Sequence, residues 1–529
     1  MQYSHIRSFF YFLSVVITAS FLTSCRPPEY SGDGDEEEGQ YVTGSIPIDS
    51  LTVVHFFETH SELKNYENTA VAMYRRNGHV SLWYDSSGVN EVSGSLYTKL
   101  NALHEEGVNV SFPYQEQLDG LFLEAVENML TPEETDVLLT AAFLFYAEKV
   151  VKGIDKRTSD ALGWLLPRKK VSYSALLRSF MAEPSVLEKD EKTLLGQYYK
   201  LRRMLQRYRE IERDGNWTNI KFDPKGKGFK PGDSSNTLLQ VRERLFILGD
   251  LKRNNGSRIF DAELSAGIRR YLSRNGFATE NSIDPKVLKD MNIPVSERIK
   301  TIMVNMERCR WISPEIAGAE EYIVVNIPSY TLNGFRGGKN VFESPVVVGS
   351  SMTKTVVFSG LMSYVVFSPY WNVPNSIIAR DIRPGIAADS NYLDAHDMEW
   401  NNGRVRQRPG KNNSLGLVKF MFPNSKDIYL HDSPAKDLFQ KERRAFSHGC
   451  VRVARPKELA EFILENDTAW TADKITAAMN AGMESKVNLK KKVPVYIGYF
   501  TAWVNERDEL CFYEDIYKRD NRLARHIMN

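Results

Sequence analysis

The chain has 529 residues, which is enough for about three domains of ordinary size. Its 68 Lys and Arg residues nearly balance its 67 Asp and Glu residues, and the formal net charge is +1. This even balance lacks the basic excess typical of nucleic-acid-binding proteins, so we expect no nucleic-acid partner.

The first 25 residues have the layout of a bacterial export signal. Arg7 precedes an apolar run from Phe9 to Leu22, and the segment ends in Leu-Thr-Ser-Cys at Cys25. The run is too short to span a bilayer comfortably, whereas its ending resembles the bacterial lipobox, in which the Cys is lipidated and becomes the mature N-terminus. We therefore expect residues 1–25 to be a lipoprotein signal peptide with Cys25 lipidated. A cleaved signal without a lipid is the alternative.

A flexible acidic tether is predicted next, over residues 26–45, because this stretch is rich in Asp, Glu, Pro and Gly and has too few apolar residues to form a core. Residues 46–230 then show a mainly helical pattern. Thr131 and Pro132 are typical of a helix start, and Gly153 is typical of a helix end. We predict a helical scaffold domain over 46–230 without a catalytic constellation.

Three short helical patterns follow within residues 231–300. Apolar residues recur at helical spacing from Leu238 to Leu248 and from Leu264 to Leu272, and Asp284 with Pro285 begins the third pattern. This trio resembles the three-helix peptidoglycan-binding module of bacterial wall enzymes. A purely structural role for the bundle is the alternative.

Residues 301–529 are predicted to form a β-rich domain. Short runs of alternating apolar residues, separated by Gly, Pro and Asn turns, begin at Glu321 and favour a twisted antiparallel sheet or a partly closed barrel. The alternation lapses over about residues 376–409. An insertion of that length is typical of a lid or binding loop.

Candidate chemistry concentrates near the end of this β-rich region. His431 follows a strand-like run, and "SHGCVR" places His448, Gly449, Cys450 and Arg452 together. A Cys nucleophile needs a nearby imidazole or positive charge for activation. A glycine lets a substrate carbonyl approach the backbone N–H groups of an oxyanion hole, and an arginine pairs with carboxylates.

Two alternatives for Cys450 are a zinc ligand and an inert buried thiol. A Cys one residue after a His matches no common zinc-finger spacing, and a fourth ligand is not apparent. An inert thiol does not explain why His, Gly, Cys and Arg occur together, although it is the expected role of Cys309 and Cys511. A papain-like protease is disfavoured because its Cys precedes its His, whereas His431 precedes Cys450.

The region around Cys450 resembles the L,D-transpeptidase family. Its signature is a His, about fifteen residues, and then Ser or Thr followed by His-Gly-Cys, which is met here by His431 and by Ser447 to Cys450. The stretches "YIVVNIPSYTLNGF", "PYWNVP" and "IYLHDSP" also resemble the large periplasmic subgroup of that family. The implied fold is multidomain α+β, with a helical scaffold domain, a small three-helix peptidoglycan-binding module and a β-rich catalytic domain carrying a lid insertion.

The resemblance implies a role for individual residues. The catalytic group comprises Cys450 as nucleophile, His431 as general base, and His448 and Gly449 shaping the site, with the backbone N–H groups of His448, Gly449 and Cys450 facing the oxyanion. The residues implied to contact substrate are Arg452, Tyr429, Trp371 and Ser447. No metal and no organic cofactor is required, because a thiol, an imidazole and oxyanion donors supply the chemistry.

The activity implied by the resemblance is acyl transfer on peptidoglycan stem peptides. Cys450 would form a thioester with a tetrapeptide stem and release terminal D-Ala, and a diaminopimelate amine of a second stem would resolve it as a 3→3 cross-link. Water as acceptor would make the protein an L,D-carboxypeptidase, a protein amine would make it an anchoring enzyme, and lost activity would leave a wall-binding scaffold. We expect a periplasmic lipoprotein of the outer membrane of a Gram-negative bacterium, with cell-wall enzymes as further partners.

Overall fold

The computed structural model describes residues 46–123, 130–189, 192–278 and 280–528. Cys25 and the predicted tether lie outside these ranges, so lipidation and tethering stay predictions. Within the described ranges the protein is α+β, with helices in the N-terminal part and a β-rich C-terminal part. No helix in these ranges is both long and apolar enough to cross a membrane.

The N-terminal part is mainly helical and contains a two-stranded hairpin. Its helices are α1 (Ser50–Thr59), α2 (Glu67–Arg76), α3 (Glu91–Asn101), α4 (Gln115–Leu123), α5 (Pro132–Tyr146), α6 (Lys156–Ala161), α7 (Tyr173–Ala182), α8 (Val186–Lys189) and α9 (Gly196–Arg213). Its strands are β1 (Tyr84–Asp85), β2 (Gly88–Val89) and β3 (Trp164–Leu165). Short 3₁₀ segments cover Ser61–Tyr66 and Leu103–Glu106.

Helix α5 lies at the centre of this region and begins where the sequence predicts. Thr131 and Glu134 form a capping box around its first turn, with the proline at the first helical position. A π-helical segment, Ala147–Lys152, continues α5 and ends at Gly153, which has a φ of 70°. Because most of α5 is buried, it forms the core against which α1, α2 and α3 pack.

The three-helix region is present where the apolar pattern predicts it. Its helices are α10 (Asn236–Leu248), α11 (Ala262–Arg274) and α12 (Pro285–Met291). Leu238, Val241, Leu264 and Ile268 share one small apolar core. Asp284 caps α12 by accepting a hydrogen bond of 2.9 Å from the N–H of Val287. Whether these helices bind peptidoglycan stays a prediction.

Helix α13 (Val295–Trp311) connects the helical part to the barrel. It packs along α9, and both helices contribute buried apolar residues to the core of the C-terminal part. Buried Arg310 donates to the carbonyl groups of Glu106 at 2.6 Å and Val150 at 2.9 Å. Its charge is balanced by Glu307 at 2.8 Å. The predicted domain boundaries stay predictions, but α9 packs with the barrel core rather than with the cluster around α5.

The C-terminal part begins with four strands and then an insertion. A 3₁₀ turn at Pro314–Gly318 leads into β4 (Glu321–Asn326), β5 (Thr331–Arg336), β6 (Lys339–Gly349) and β7 (Val357–Phe367). The insertion comprises β8 (Trp371–Asn372), α14 (Asn375–Ile377), a π-helical segment (Ile378–Ile382), α15 (Arg383–Ala388), α16 (Tyr392–Ala395), β9 (Met398–Asn401) and β10 (Arg404–Gln407). The insertion has its own apolar cluster, formed by Val373, Ile378, Ile382, Met398 and Val405.

The remaining elements complete the barrel and cover it. The strands are β11 (Val418–Met421), β12 (Leu430–His431), β13 (Ala445–Ser447), β14 (Val451–Val453), β15 (Ser485–Gly498), β16 (Ala502–Val504) and β17 (Leu510–Phe512). The helices are α17 (Pro456–Leu464), α18 (Ala472–Met479) and α19 (Asp520–Ile527), with a 3₁₀ segment at Lys436–Gln440.

Eight strands close into a ring in the order β4-β5-β6-β14-β12-β11-β7-β15. Closure depends on antiparallel pairing of β7 with β11, in which Phe367 lies opposite Val418. The ring is not antiparallel throughout, since β12 pairs with β14 and β4 with β15 in parallel. Because the insertion joins β7 to β11, its base lies beside β12, which is the strand that carries His431.

Candidate active site

Cys450 ends a tight turn between β13 and β14. Strand β13 runs parallel to β6, whereas β14 runs antiparallel to it, so the chain reverses direction within the turn. Gly449 permits this reversal with a φ of 123°. A Cβ on Gly449 would lie 3.9 Å from its nearest neighbour, the carbonyl oxygen of Thr353, so backbone conformation rather than lack of space requires glycine here.

Ser447 stabilises this turn from inside. Its buried hydroxyl donates to the carbonyl oxygen of Cys450 at 2.5 Å and accepts the N–H of Gly449 at 3.1 Å. The N–H of Gly449 is therefore occupied within the turn. In the described part of the chain, the N–H groups of His448 and Cys450 have no hydrogen-bond acceptor, so the turn leaves them available to a ligand.

A polar brace beneath the turn was not predicted from the sequence. Thr353 donates to the carbonyl of Ser447 at 2.8 Å, and Thr355 donates to the carbonyl of Gly449 at 2.8 Å. Tyr517 accepts the N–H of Thr355 at 3.0 Å. The Ser- and Thr-rich loop after β6 was a weak signal for the threonines, but nothing in the spacing indicated a tyrosine near the C-terminus.

His431 is buried on β12, next to the strand that follows Cys450. Its Nδ1 lies 2.5 Å from the carbonyl oxygen of Asp432. Because a carbonyl can only accept, Nδ1 carries the proton and Nε2 is left as the basic nitrogen. Burial, together with the charge of Arg452, lowers the pKa of His431 to about 3. The imidazole is therefore neutral over the physiological pH range.

Asp432 holds His431 in place, and sequence reasoning did not single it out. Its buried carboxylate accepts the backbone N–H groups of Leu417 at 2.9 Å and Ser433 at 2.7 Å, and it pairs with Lys436 at 2.5 Å. A Cβ on Gly416 would collide with this carboxylate. The side chain of Asp432 thus holds the loop before β11 in place. The backbone carbonyl of the same residue determines the tautomer of His431.

The thiol of Cys450 lies in a polar but half-buried setting. Its Sγ is 3.6 Å from the carbonyl oxygen of Asp427, a residue with a left-handed φ of 51°. Burial raises the pKa of Cys450, and hydrogen bonding to Tyr429 lowers it only in part. The ring of Tyr429 lies 5.7 Å from that of His431, so this tyrosine lies beside both Cys450 and His431. The resting pair is a neutral thiol and a neutral imidazole.

Arg452 shares a face with these groups. In the parallel pairing of β12 with β14 it lies directly opposite His431, and strand alternation places Cys450 on the same face. Burial lowers the pKa of Arg452, whereas the sulfur of Cys450 raises it. Its Nε–H is buried and has no acceptor among the described residues.

The insertion reaches the turn through one polar contact. The guanidinium of Arg380 lies 3.2 Å from Nε2 of exposed His448, and it also pairs with Asp381 at 2.6 Å. Trp371 is placed differently, since it pairs with Gln407 in the small sheet and packs against the cluster of the insertion. Of the predicted site residues, the structure groups His431, Tyr429 and Arg452 around Cys450, and it places Trp371 in the insertion.

Two parts of the chain match known protein families. Residues 320–495 match the family model described as the L,D-transpeptidase catalytic domain. Residues 320–495 are an L,D-transpeptidase catalytic domain. Residues 68–205 match a model described as a scaffold domain, in the region where the sequence predicts one.

Relatives of the transpeptidase domain cover only parts of the chain. A Haemophilus influenzae protein named "Putative L,D-transpeptidase" is 33% identical over 257 residues, which are 44% of this chain and 51% of that protein. The chain thus spans about half the length of this curated relative.

Two solved structures are also similar in part. An L,D-transpeptidase from Mycobacterium smegmatis is 12% identical with a TM-score of 0.20, covering 34% of this chain and 59% of that one. One from Stackebrandtia nassauensis is 14% identical with a TM-score of 0.22, covering 53% and 96%. Scores this low do not define the fold.

The two other cysteines of the described chain lie away from the transpeptidase site. Cys309 on α13 and Cys511 on β17 are buried, and neither forms a disulfide. Burial raises the pKa of Cys309 to about 12 and also raises that of Cys511. Both fit the structural role that the sequence predicts for them, which leaves Cys450 as the accessible thiol among the three.

Proposed function

We propose that the protein is a peptidoglycan L,D-transpeptidase that forms 3→3 cross-links through a thioester on Cys450. The observation that carries this proposal is the position of His431, which presents a basic Nε2 on the strand beside the Cys450 turn. The match of residues 320–495 to the catalytic-domain model supports the reaction class.

In the first step, the thiol proton of Cys450 would pass to Nε2 of His431 as sulfur attacks the carbonyl carbon of diaminopimelate. The oxyanion would accept hydrogen bonds from the N–H groups of His448 and Cys450. Collapse would break the bond to nitrogen, and the imidazolium of His431 would return its proton to the departing amine of D-Ala.

A neutral resting pair suits this sequence of events. The low pKa of His431 and the raised pKa of Cys450 disfavour a preformed ion pair. Proton transfer would therefore accompany formation of the bond between sulfur and carbon. Asp432 and Tyr429 would hold the two reacting groups during the transfer.

In the second step, the amine of diaminopimelate on another stem would attack the thioester and give its proton to His431, regenerating the thiol. The insertion would restrict water at this stage, because Arg380 brings it onto the turn that carries Cys450. This restriction would favour an amine acceptor over hydrolysis.

The proposed setting is the periplasm, with the protein held to a membrane by a lipid on Cys25. Stem peptides are the proposed partners, as tetrapeptide donor and diaminopimelate acceptor. Cell-wall enzymes that trim stems to tetrapeptides would supply the donor.

Mass spectrometry of disaccharide-tetrapeptide incubated with the full chain tests the proposal. A dimer lacking one D-Ala, absent with Cys450→Ala but formed by Cys511→Ala, is the expected result. Cys511→Ala is a matched control because it removes a buried thiol of the same region. Monomeric tripeptide alone would identify a carboxypeptidase, and no reaction by folded protein would identify a scaffold.

A carbapenem provides an independent check on the nucleophile. Intact-mass analysis should detect one adduct on the wild-type chain and none on Cys450→Ala. The same adduct on both proteins, or on neither, would contradict the assignment of Cys450.

A further inference from the structure

The three-helix region contacts the barrel at the segment that leads to Cys450. The carboxylate of Glu442 accepts the backbone N–H of Ala278 at 3.0 Å and forms an ion pair with Lys286. Burial opposes ionisation of Glu442, but these two contacts lower its pKa below the ordinary value. Ala278 follows α11, and Lys286 lies in the first turn of α12. One side chain of the barrel domain therefore binds two segments of the three-helix region.

The three-helix region is a rigid support for this contact, because it is fixed to the barrel domain elsewhere. Arg274, at the end of α11, pairs with Asp250 at 2.7 Å and donates to the carbonyl of Leu510. The side-chain oxygen of Asn275 accepts the N–H of Phe512 at 2.9 Å. All of these residues are buried. Moving the region away from β17 would leave buried polar groups unpaired, which is costly.

The segment that Glu442 holds has little regular structure of its own. Residues 441–444 lie in neither a helix nor a strand. They lead into β13, which is three residues long and whose register against β6 shifts between Ala445 and Ser447. Because a short, irregular segment makes few contacts, each tie to a neighbouring element has a large influence on its position.

The position of this segment is passed on to the Cys450 turn through β13. The carbonyl of Arg444 accepts the N–H of Val348 at 2.9 Å, and the carbonyl of Ser447 accepts the N–H of Ser350 at 3.0 Å. The hydroxyl of Ser447 in turn binds the carbonyl of Cys450. A shift of residues 441–444 would therefore move Ser447, and with it the thiol of Cys450.

The three-helix region also contacts the support on the other side of the turn. Phe512, which Asn275 binds, lies shortly before Tyr517 in the chain. Tyr517 accepts the N–H of Thr355 at 3.0 Å, and Thr355 donates to the carbonyl of Gly449 at 2.8 Å. Both chain segments that support the turn are thus bound to the same three helices.

We propose that Glu442 is a positioning residue through which the three-helix region holds the Cys450 turn in its reactive geometry. Glu442 acts through β13 and does not touch the substrate. Its effect on turnover rests on the proposed function, whereas its effect on order in the turn does not. The competing role is a surface ion pair that contributes only slightly to the stability of the whole chain.

Glu442→Ala removes both contacts and is the first test. With the full chain and disaccharide-tetrapeptide, we expect kcat to fall by roughly three- to tenfold with KM nearly unchanged, because the nucleophile is displaced rather than removed. Hydrogen–deuterium exchange of residues 445–453 should become faster. The midpoint of thermal unfolding should change little, because Lys286 is exposed.

A double-mutant cycle tests whether the ion pair is responsible. Glu442→Gln keeps an acceptor for the N–H of Ala278 but loses the ion pair. Lys286→Met loses the same ion pair and keeps an apolar side chain against Phe277. Each should lower kcat less than Glu442→Ala does, and the double variant should fall no further than either single variant. Single effects that multiply in the double variant would overturn the proposal.

Glu320→Ala is the matched control. It removes an exposed ion pair with Lys491 in the same domain. This pair lies at the end of the sheet where β6 begins, whereas the Cys450 turn lies where β6 ends. The variant should keep the wild-type kcat and the wild-type exchange of residues 445–453. A fall in kcat as large as that of Glu442→Ala would overturn the positioning role.

Two further outcomes separate this proposal from the proposed function. Unchanged kcat and unchanged exchange in Glu442→Ala would overturn the positioning role while leaving the transpeptidase assignment intact. Failure of the wild-type chain to convert tetrapeptide would reject the proposed function. Exchange needs no substrate, so it would still decide the contact: faster exchange of residues 445–453 in Glu442→Ala supports the positioning role, and unchanged exchange rejects it.

Discussion

A buried charge in the helical part and a half-buried charge in the barrel have opposite hydrogen-bonding environments. Asp136 on α5 accepts the hydroxyl of Tyr74 at 2.6 Å and the N–H groups of Leu82 at 3.1 Å and Trp83 at 2.7 Å. Arg452 on β14 has no protein acceptor among the described residues. The helical part satisfies its charge internally, whereas the barrel leaves one unsatisfied beside Cys450.

This difference separates groups that hold the fold from groups that are available to a ligand. Burial raises the pKa of Asp136 to about 6, although its three hydrogen bonds oppose the change. Those bonds connect α5 to α2 and to the segment before β1. Around Cys450, by contrast, a basic nitrogen, a thiol and a guanidinium are available to a ligand. Asp432 positions His431 through its carbonyl oxygen, and Thr355 positions the Cys450 turn by donating to the carbonyl of Gly449.

The largest expected effect is the loss of activity on replacing His431, which should occur without a matching loss of thermal stability. His431→Gln should lower kcat/KM for tetrapeptide by roughly 10²- to 10⁴-fold, because it removes the proposed general base. Kinetics and thermal unfolding of the same preparations provide the measurement. His448→Gln is the control, since exposed His448 contacts the insertion, and it should lose less activity. Equal losses in both variants would contradict the assignment of His431 as the base.

The pH dependence of Cys450 alkylation tests the neutral resting pair. Because burial raises the pKa of Cys450 above its ordinary value, the thiolate is the minor form at neutral pH. His431, with a pKa of about 3, carries no charge at pH 5 or above. Alkylation by iodoacetamide should therefore rise by about tenfold per unit between pH 7 and 9.

Cys450→Ala supplies the background rate from Cys309 and Cys511 in that experiment. A plateau of the alkylation rate below pH 7 would indicate a thiolate and imidazolium pair. Such a result would show that Cys450 and His431 are charged and paired with each other in the free protein, as the hydrogen-bonded carboxylate of Asp136 is in the helical part.

Asp136→Asn tests the other side of the comparison. An amide nitrogen cannot accept the N–H groups of Leu82 and Trp83, so we expect a loss of about 1 to 3 kcal/mol in the unfolding free energy. Urea unfolding measures it. Asp160→Asn, which alters an exposed ion pair with Lys156, should change stability by less than about 0.5 kcal/mol. Slower carbapenem acylation in Asp136→Asn would contradict the separation between the two regions.

The smallest expected effect concerns the brace beneath the turn. Thr355→Val removes the donor to Gly449 and the acceptor for the N–H of Gly349. We expect kcat to fall by about tenfold with KM nearly unchanged, because the nucleophile is displaced rather than removed. Thr355→Ser retains the hydroxyl and should restore kcat. An increase in KM without loss of kcat would contradict a positioning role.

Local patterns in the sequence predicted several elements correctly. The cap at Thr131 located α5, and Asp284 with Pro285 located α12, because helix starts depend on residues within one turn. The His-Gly-Cys motif located the turn in the same way, since Gly449 is needed for its backbone angle. These features depend on neighbours in the chain.

Other features could not be predicted, because they depend on contacts between distant segments. Closure of the barrel requires β7 to pair with β11 across the insertion. The brace requires Tyr517 to meet Thr355, which lies 162 residues earlier. Alternation along each strand does not specify which strands become neighbours, so neither contact follows from the pattern.

The sequence by itself determined the helix starts, the β-rich character of the C-terminal part and the identity of Cys450 and His431 as candidates. These follow from backbone preferences and from the chemistry of single side chains. Only the tertiary structure decided that His431 is neutral with Nε2 as its unprotonated nitrogen and that Gly449 donates within the turn. It also decided that Nε of Arg452 is buried without an acceptor among the described residues. Protonation and pairing depend on burial and on atoms from distant segments, which meet only once the barrel has formed.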